Sequence, residues 1–378
     1  MVRVQIGRLA VVESAVCEYR SLFLNKYRGK FYHFHHHYYE MRLVFRPYVM
    51  FVQEPDFDRE CVSTDSHGMR HQHIRGRDYS MSELREHFDE CDVMVGGSTA
   101  FGVDASSNKT TISALMTEKA RDGVPVINLG IRGAMPQQEL VAFMMLRHLL
   151  PKVRNIYIFS GVNVASYAAQ KNALIYEDYG CLFSEEYNYN LMREQYKLFT
   201  ASQEDVRRYR TFDWFEAIYD KSPYLRGLLR RFLDIDESRP ELPGKNRKAQ
   251  LDQLLIWFRR DLESWKNIES SVESVNYILQ PAVGWNSKAL SEREQKILGE
   301  DRTIDKTLSY YATPEFYQGY SEKVSALCSD AGIDFHDVNK WFDDPVHAGS
   351  DYFTDVCHLN DNGNAAVAEF MESSGLSK

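Results

Sequence analysis

Short apolar runs alternate with helical patterns through the second quarter of the chain. Buried strands are predicted by the runs from Asp92 to Ser98, from Val124 to Leu129 and from Asn155 to Ser160. Helices suit the segments between them, from Thr110 to Ala120 and from Pro136 to Leu150. Because successive buried strands joined by helices lie parallel with right-handed crossovers, this alternation predicts an α/β fold.

Residues 164–249 interrupt the alternation. They are rich in tyrosine and in charged residues, and they contain short helical stretches such as that from Ser222 to Leu233. The stretch from Arg239 to Lys248 has the composition of a linker. We interpret 164–249 as a helical, aromatic-rich insertion that forms a lid, makes a homodimer contact or only buries a sheet edge. Residues 1–90 show no clean period and are interpreted as an N-terminal extension that packs on the core.

The α/β pattern resumes after the insertion. Four more elements are predicted there: an amphipathic helix from Leu251 to Trp265, strands from Ser274 to Leu279 and from Asp334 to Val338, and a closing helix from Asp361 to Met371. The core is therefore assigned to residues 91–163 and 250–378. Its predicted architecture is a three-layer, flavodoxin-like α/β fold, with one parallel five-stranded sheet and helices on both faces.

Composition and charge restrict the classes of partner. The chain has 378 residues, of which 44% are hydrophobic, so it can bury a sizeable core. Lys and Arg total 45 against 54 Asp and Glu, and the net charge of -9 argues against nucleic acid while permitting a small anionic substrate. Glu13 and Glu18 interrupt the N-terminus where a signal peptide needs an unbroken apolar stretch, and no apolar run reaches membrane-spanning length. We therefore expect a cytoplasmic protein without a membrane span.

Neither the cysteines nor the histidine run predicts a metal or a cofactor. The six cysteines form no CxxC pair, which favours buried thiols in a reducing compartment. The run from Tyr32 to Tyr39 reads YHFHHHYY, but adjacent side chains point in different directions, whereas metal ligands usually share a helix face or a turn. We interpret this run as a polar, partly exposed aromatic segment.

Polar loops at the carboxyl ends of the predicted strands are the first candidates for a site, because ligands of open parallel sheets bind there. Residues 96–102 read GGSTAFG, and their glycines allow a sharp turn that exposes Ser98 at the start of a helix. A phosphate loop is excluded, since the nearest lysine, Lys109, follows Ser107 and Asn108 where the motif needs glycine. The GxSxG serine motif is absent as well.

Two further candidates follow the second and third predicted strands. Residues 128–133 read NLGIRG, where Gly133 lets the backbone approach a substrate closely. Residues 160–163 read SGVN, where the amide of Asn163 can donate a hydrogen bond into the same cleft. Taken singly, each also fits an ordinary turn.

The segment near the C-terminus adds a carboxylate and an imidazole. Residues 355–364 read DVCHLNDNGN, in which Asp355 and His358 stand three residues apart just before a helix. Such a carboxylate can accept from one ring nitrogen and leave the other as a base. Asp361 is explained as a helix N-cap without any catalysis.

In their order and placement, these blocks resemble those of the SGNH (GDSL-like) hydrolase superfamily, in the variant with a GGST nucleophile block. The resemblance covers residues 60–163 and 250–371. It includes two further stretches, TDSHGMR at residues 64–70 and LQP at residues 279–281. The resemblance implies the parallel α/β fold that the periodicity also predicts.

The resemblance also implies roles for individual residues. The catalytic triad would be Ser98, Asp355 and His358. The oxyanion hole would be formed by Ser98, Gly133 and Asn163.

Two positions depart from the family pattern. Gly97 stands where the GDS motif has aspartate, and Val164 stands where an aspartate usually follows the oxyanion asparagine. The second change bears on how the loop of Asn163 is supported.

The resemblance implies a serine-dependent ester hydrolase that forms an acyl-enzyme at Ser98. We expect a small-molecule acyl ester as the substrate, with a small acyl group such as acetyl on a carbohydrate or a specialised metabolite. Two alternatives stay open: an O-acyltransferase that uses the same triad, and a non-catalytic binding protein on a hydrolase fold. No cofactor and no metal are expected.

Overall fold

The computed structural model describes six stretches of the chain. They are residues 35–169, 174–176, 180–182, 247–268, 271–304 and 307–376. The predicted helical stretch from Ser222 to Leu233 lies outside them, as does most of the segment 164–249. In the described part, no helix combines the length and the apolar composition that crossing a membrane requires.

The described stretches contain both strands and helices. The strands are β1 (Leu43–Arg46), β2 (Met50–Gln53), β3 (Gln72–Ile74), β4 (Arg77–Tyr79), β5 (Glu90–Gly96), β6 (Val126–Gly130), β7 (Lys152–Ser160), β8 (Leu174–Tyr176), β9 (Gly180–Leu182), β10 (Ser274–Leu279) and β11 (Asp334–Asp337). The α-helices are α1 (His35–Glu40), α2 (Leu84–His87), α3 (Ser98–Phe101), α4 (Ile112–Lys119), α5 (Pro136–Leu146), α6 (Val162–Ala169), α7 (Arg247–Lys266), α8 (Glu292–Ile304), α9 (Leu308–Tyr311), α10 (Pro314–Ala331), α11 (Val338–Phe342) and α12 (Asp361–Ser373). Short 3-10 helices span Met81–Glu83, Asn108–Thr110, Arg147–Leu149 and Pro345–His347.

Five strands form one parallel sheet, in the spatial order β6-β5-β7-β10-β11. Counted along the chain this is the order 2-1-3-4-5 of flavodoxin-like folds. The predicted fold class and the five predicted strands are therefore confirmed. Strand β6 begins at Val126 rather than Val124, because Pro125 has no N–H to donate to the ladder. Strand β7 begins directly after Pro151.

The central strands are covered on both faces, which explains why they read as continuous apolar runs. Every residue of β6 is buried, and so is every residue of β5 except the first. The helices pack in two groups around the sheet, α12 against α4, and α7 against α5, α6 and α10. The polar loops at the carboxyl ends of the strands remain as the place where a site can form.

Three antiparallel strand pairs escaped the sequence prediction. They are β1 with β2, β3 with β4, and β8 with β9. Strands of three or four residues contain too few positions to show a period. A separate apolar cluster joins residues of the N-terminal region to two residues that follow Ser98, and its members are Tyr38, Met41, Phe57, Cys61, Val62, Phe101 and Val103. The described part of that region therefore packs against the loop that follows Ser98.

Strand β6 approaches helix α3 closely. The side-chain amide of Asn128 donates to the carbonyl of Ala100 at 2.7 Å, and its oxygen accepts the N–H of Gly130 at 2.8 Å. Both bonds satisfy polar atoms of a buried side chain, which would otherwise cost free energy. A Cβ atom at Gly130 would lie 2.2 Å from the backbone nitrogen of Phe101. Helix α3 can therefore sit on the edge of the sheet only because residue 130 is glycine.

We expect Gly130→Ala to lower the free energy of unfolding by more than about 2 kcal/mol, since the backbone of α3 would have to move. Gly319→Ala is the control: Gly319 is exposed in α10 and no atom lies within 4 Å of the position of its Cβ. Alanine should stabilise that helix by about 0.5–1 kcal/mol. Urea unfolding measures both changes, and a Gly130→Ala protein as stable as the wild type would contradict the close approach.

Candidate active site

A chain of hydrogen bonds joins Ser98, His358 and Asp355. The Nε2 atom of His358 lies 2.7 Å from the Ser98 Oγ, and its Nδ1 atom lies 2.6 Å from the Asp355 Oδ2. A carboxylate can only accept, so the Nδ1 position carries a proton and Nε2 is left to accept from the serine hydroxyl. The three residues that the sequence singled out as a triad thus meet in one place.

Local backbone geometry exposes Ser98 at a sharp turn. Strand β5 ends at Gly96, whose φ is +154°, and a Cβ there would lie 2.1 Å from the carbonyl oxygen of Phe159. Helix α3 begins at Ser98 and ends at Gly102, whose φ of +86° suits glycine. The serine is half-buried while the three residues after it are buried. Its hydroxyl therefore stands at the carboxyl edge of the sheet.

The carboxylate of Asp355 is fixed by its own loop. Its Oδ1 atom accepts the backbone N–H groups of Cys357 at 2.8 Å and of His358 at 2.7 Å. The side chain of Asp355 is 4% exposed, whereas that of His358 is 15% exposed. The imidazole can therefore reach solvent or a ligand, while the carboxylate bonded to it is shielded.

Gln280 and Thr99 connect the nucleophile loop to the histidine loop. The Gln280 amide donates to the Thr99 hydroxyl at 2.9 Å, and that hydroxyl contacts the carbonyl of Cys357 at 3.3 Å. Gln280 itself is buried, and its backbone carbonyl accepts from the Asn339 amide at 3.2 Å. The sequence had marked residues 279–281 only as a familiar stretch, and the structure shows what the glutamine does there.

Glu294 supports the chain just before Asp355. Its carboxylate accepts the backbone N–H groups of Tyr352 and Phe353, both at 2.9 Å, and the ammonium of Lys288 at 2.7 Å. The side chains of Lys288 and Glu294 are fully buried. No sequence pattern pointed to the support by Glu294, because Tyr352 and Phe353 lie 58 and 59 residues from it.

Gly133 and Asn163, the two proposed oxyanion residues, belong to adjoining loops. Gly133 follows β6 and has a φ of +72°, which favours glycine. Asn163 stands in the first turn of α6, and its Nδ2 atom donates to the carbonyl of Ala134 at 2.7 Å. The position of a Cβ on Gly97 is only 2.6 Å from the same Nδ2 atom. The Asn163 amide therefore lies between the residue before Ser98 and the loop of Gly133.

This contact and the burial of Val164 give separate physical reasons for the residues at positions 97 and 164. Any side chain at position 97, aspartate included, would collide with the Asn163 amide. The side chain of Val164 is 3% exposed and belongs to the apolar core, where an aspartate would be buried. Glycine at position 97 leaves room for the Asn163 amide, and valine at position 164 suits a buried apolar position.

A buried acid supports the end of β7 behind Asn163. The Ser160 hydroxyl donates to Glu139 at 2.9 Å, and the Tyr320 hydroxyl donates to the carbonyl of Gly161 at 2.9 Å. Burial raises the pKa of Glu139 from 4.5 to about 8, with a smaller contribution from the neighbouring carboxyl of Asp261. Glu139 is therefore largely uncharged at neutral pH.

The histidine run divides between the interior and the surface. His35 and Tyr38 are fully buried, so the expectation of a polar, partly exposed segment is wrong for them. His36 is exposed, and ligand atoms of His36, His37 and Glu40 lie within 4.8 Å of one another. Arg59 already contacts the Glu40 carboxylate at 3.2 Å, and this cation opposes a metal ion there.

His67, in the TDSHGMR stretch, lies in a turn held by Asp65. The buried Asp65 carboxylate accepts the backbone N–H groups of His67, Met69 and Met81 at 2.8–3.1 Å. The His67 ring is 34% exposed. These bonds explain the turn without assigning the imidazole a chemical role.

No protein-family model matches the chain, and no curated protein matches it. Similar solved structures include an acetyl xylan esterase with 15% identity, covering 75% of this chain and 98% of that one, at a TM-score of 0.38. A member of the lipolytic G-D-S-L family from Veillonella parvula has 10% identity and a TM-score of 0.37, covering 75% of this chain and 97% of that one. An acetylxylan esterase mutant from Geobacillus stearothermophilus has 12% identity and a TM-score of 0.37, covering 76% of this chain and 94% of that one. The G-D-S-L family is the one that the motif blocks resemble. At such identities and TM-scores the chemistry has to be argued from the residues themselves.

We expect Gly97→Ala to cost about 1 kcal/mol of unfolding free energy, because the Asn163 amide would have to leave its bond to Ala134. The backbone at Gly97 has a φ of -83°, which any residue adopts, so the cost comes from the collision alone. In an Asn163→Ala background the same change should cost little. Unfolding of the four proteins gives the coupling energy, and strictly additive effects would contradict the contact.

Glu139→Gln is expected to make the protein more stable than the wild type at alkaline pH. Since the folded-state pKa of about 8 lies above the unfolded value of 4.5, the folded state binds more protons between these values, and wild-type stability falls as pH rises from about 4.5 to 8. Glutamine keeps an acceptor for Ser160 and removes this loss. Melting temperatures of the wild type and of Glu139→Gln from pH 5 to pH 9 test this expectation. Glu369→Gln is the control, because Glu369 is exposed. A difference from the wild type that does not grow with pH would contradict the buried, protonated carboxyl.

Proposed function

We propose that the chain is a serine ester hydrolase of the SGNH type, which removes a small acyl group such as acetyl from a carbohydrate or a specialised metabolite. The observation that carries the proposal is the hydrogen-bonded chain from Asp355 through His358 to Ser98. A half-buried serine at a strand end, an imidazole with one nitrogen on its hydroxyl, and a buried carboxylate on the other nitrogen are the parts that acyl transfer needs.

In the acylation step, the Ser98 Oγ attacks the ester carbonyl while its proton passes to the His358 Nε2. The Asp355 carboxylate stabilises the imidazolium that results. The carbonyl oxygen becomes an oxyanion, and its donors are the backbone N–H groups of Ser98 and Gly133 and the Asn163 amide. Removing one donor of this type typically costs about 10²–10³ in rate.

The tetrahedral intermediate then collapses. The bond between the carbonyl carbon and the leaving alcohol oxygen breaks, and the His358 imidazolium gives its proton to that oxygen. Ser98 is left as an acyl ester. A water molecule attacks this ester and passes a proton to His358, the bond between the acyl carbon and the Ser98 Oγ breaks, and the serine recovers its proton as the acid leaves.

Phe51 supports the choice of a small acyl group. A side chain at Gly133 would meet the ring of Phe51 at 3.8 Å, so a buried aromatic ring bounds the space beside the oxyanion glycine. Under this proposal, turnover falls along the series of acetyl, butyryl and octanoyl p-nitrophenyl esters.

We expect Ser98→Ala to abolish turnover of p-nitrophenyl acetate, because it removes the hydroxyl that lies 2.7 Å from the His358 Nε2. The matched control is Ser107→Ala. Ser107 also lies between β5 and β6, but its hydroxyl is 3.4 Å from the hydroxyl of Thr110. Steady-state acetate release measures kcat for the wild type and both variants. The control should keep the wild-type kcat.

Ser98→Ala with the turnover of the wild type would rule the proposal out. If the wild type itself releases no acetate, addition of sugar hydroxyls with a thioester acyl donor tests whether another hydroxyl replaces water as the acceptor. Acyl transfer that depends on Ser98 would then replace hydrolysis as the activity.

A further inference from the structure

Asp104 is a buried carboxylate close to the triad that the proposed mechanism does not use. Its Oδ1 atom lies 2.6 Å from the Nδ1 atom of His35, and both side chains are fully buried. His35 belongs to α1, far from Asp104 in sequence, so this bond joins the N-terminal region to the loop that follows Ser98. A buried ionisable group of this kind needs a partner on each oxygen.

Thr354 supplies the partner of the second oxygen. Its hydroxyl donates to the Asp104 Oδ2 at 2.6 Å, and its backbone N–H donates to the carbonyl of His358 at 2.9 Å. Thr354 directly precedes Asp355. Through this one residue, Asp104 is therefore tied to both ends of the segment that carries the carboxylate and the imidazole.

The backbone of Asp104 is held in an unfavourable conformation. Its φ is +69°, in the left-handed region that non-glycine residues rarely adopt. That conformation places both carboxylate oxygens on partners, His35 on one side and Thr354 on the other. Such conformations persist where surrounding contacts enforce them.

Asp104 remains charged in these surroundings. Burial by itself would raise its pKa, but the electrostatic interactions with the imidazoles of His35 and His358 and the hydrogen bonds from His35 and Thr354 outweigh it, and the net pKa is lowered. The other ionisable groups that face it are Tyr38 and Cys61, whose pKa values are raised by burial, and Arg70. The Arg70 guanidinium donates to the carbonyls of Phe101, Gly102 and Cys61.

We propose that Asp104 is a positioning residue for the acid–base histidine, acting through Thr354 and held in place by His35. In this role it fixes the segment from Thr354 to His358 against the loop of Ser98. It is also a second negative charge, behind Asp355, that favours the imidazolium form of His358. The inference rests on the proposed function for its catalytic consequence, whereas its effect on His358 is independent of turnover.

The first test is Asp104→Asn, which keeps the shape and removes the charge. Its NH₂ group replaces an oxygen that accepts, so the partner that it faces must turn its hydroxyl or change its tautomer to keep a bond. We expect kcat for p-nitrophenyl acetate to fall about ten- to a hundredfold with KM unchanged, as small misplacements of catalytic groups do. We also expect the pKa of His358, followed by NMR of a protein with ¹⁵N-labelled histidine, to be lower than in the wild type.

Matched variants separate positioning from general destabilisation. Asp92→Asn alters another buried carboxylate, which is bonded to Arg154 and Asn155 near the start of β5, at the opposite end of that strand from Ser98. This control should lower the melting temperature without changing kcat or the titration of His358. Thr354→Val removes the hydroxyl and should lower kcat as Asp104→Asn does. Thr354→Ser keeps a hydroxyl at this position and should keep the wild-type kcat.

The outcomes are distinguishable. Wild-type kcat and an unshifted His358 pKa in folded Asp104→Asn would overturn the inference. If Asp104→Asn does not fold, equal kcat values for Thr354→Val and Thr354→Ser would overturn it. If the wild type hydrolyses no ester, the proposed function fails, but a lowered His358 pKa in Asp104→Asn still supports the link between Asp104 and the imidazole.

Discussion

The imidazole of His358 is the group on which the rest of this structure depends. One of its nitrogens lies 2.7 Å from the Ser98 hydroxyl, and the other lies 2.6 Å from the Asp355 carboxylate. The bond to Ser98 joins loops that are separated by 260 residues in the sequence. A hydrogen bond is directional and short, so the two loops must be placed to within a few tenths of an ångström of each other for this bond to form.

The fold meets this requirement by fixing each loop separately. Gly130 lets helix α3 rest on the sheet edge, and the Asn128 amide ties that helix to β6. On the other side, the buried Glu294 carboxylate holds the backbone just before Asp355. Asp104 and Gln280 then link one loop to the other, so the arrangement of Ser98, His358 and Asp355 is supported by groups outside it. Such supporting groups are what keep a catalytic arrangement precise.

The sequence was sufficient for the sheet and for the candidate site, because both are written in local patterns. Five apolar runs predicted five parallel strands, and DxxH places a carboxylate beside an imidazole within one loop. The hairpins of the N-terminal region were missed because their strands are too short to show a period. The supports of the triad were missed because they depend on long-range contacts: Glu294 lies 58 residues from Tyr352, and Asp104 lies 250 residues from Thr354. His35 was read as surface because a histidine run offers no sign of which ring is buried.

The most direct measurement of the central claim is the mass of the protein after reaction with a fluorophosphonate at neutral pH. The account predicts one adduct per chain, mapped by peptide sequencing to Ser98, and its formation should slow strongly in a His358→Ala variant. No adduct, or an adduct on another residue with Ser98 unmodified, would contradict the claim that Ser98, His358 and Asp355 form a working triad.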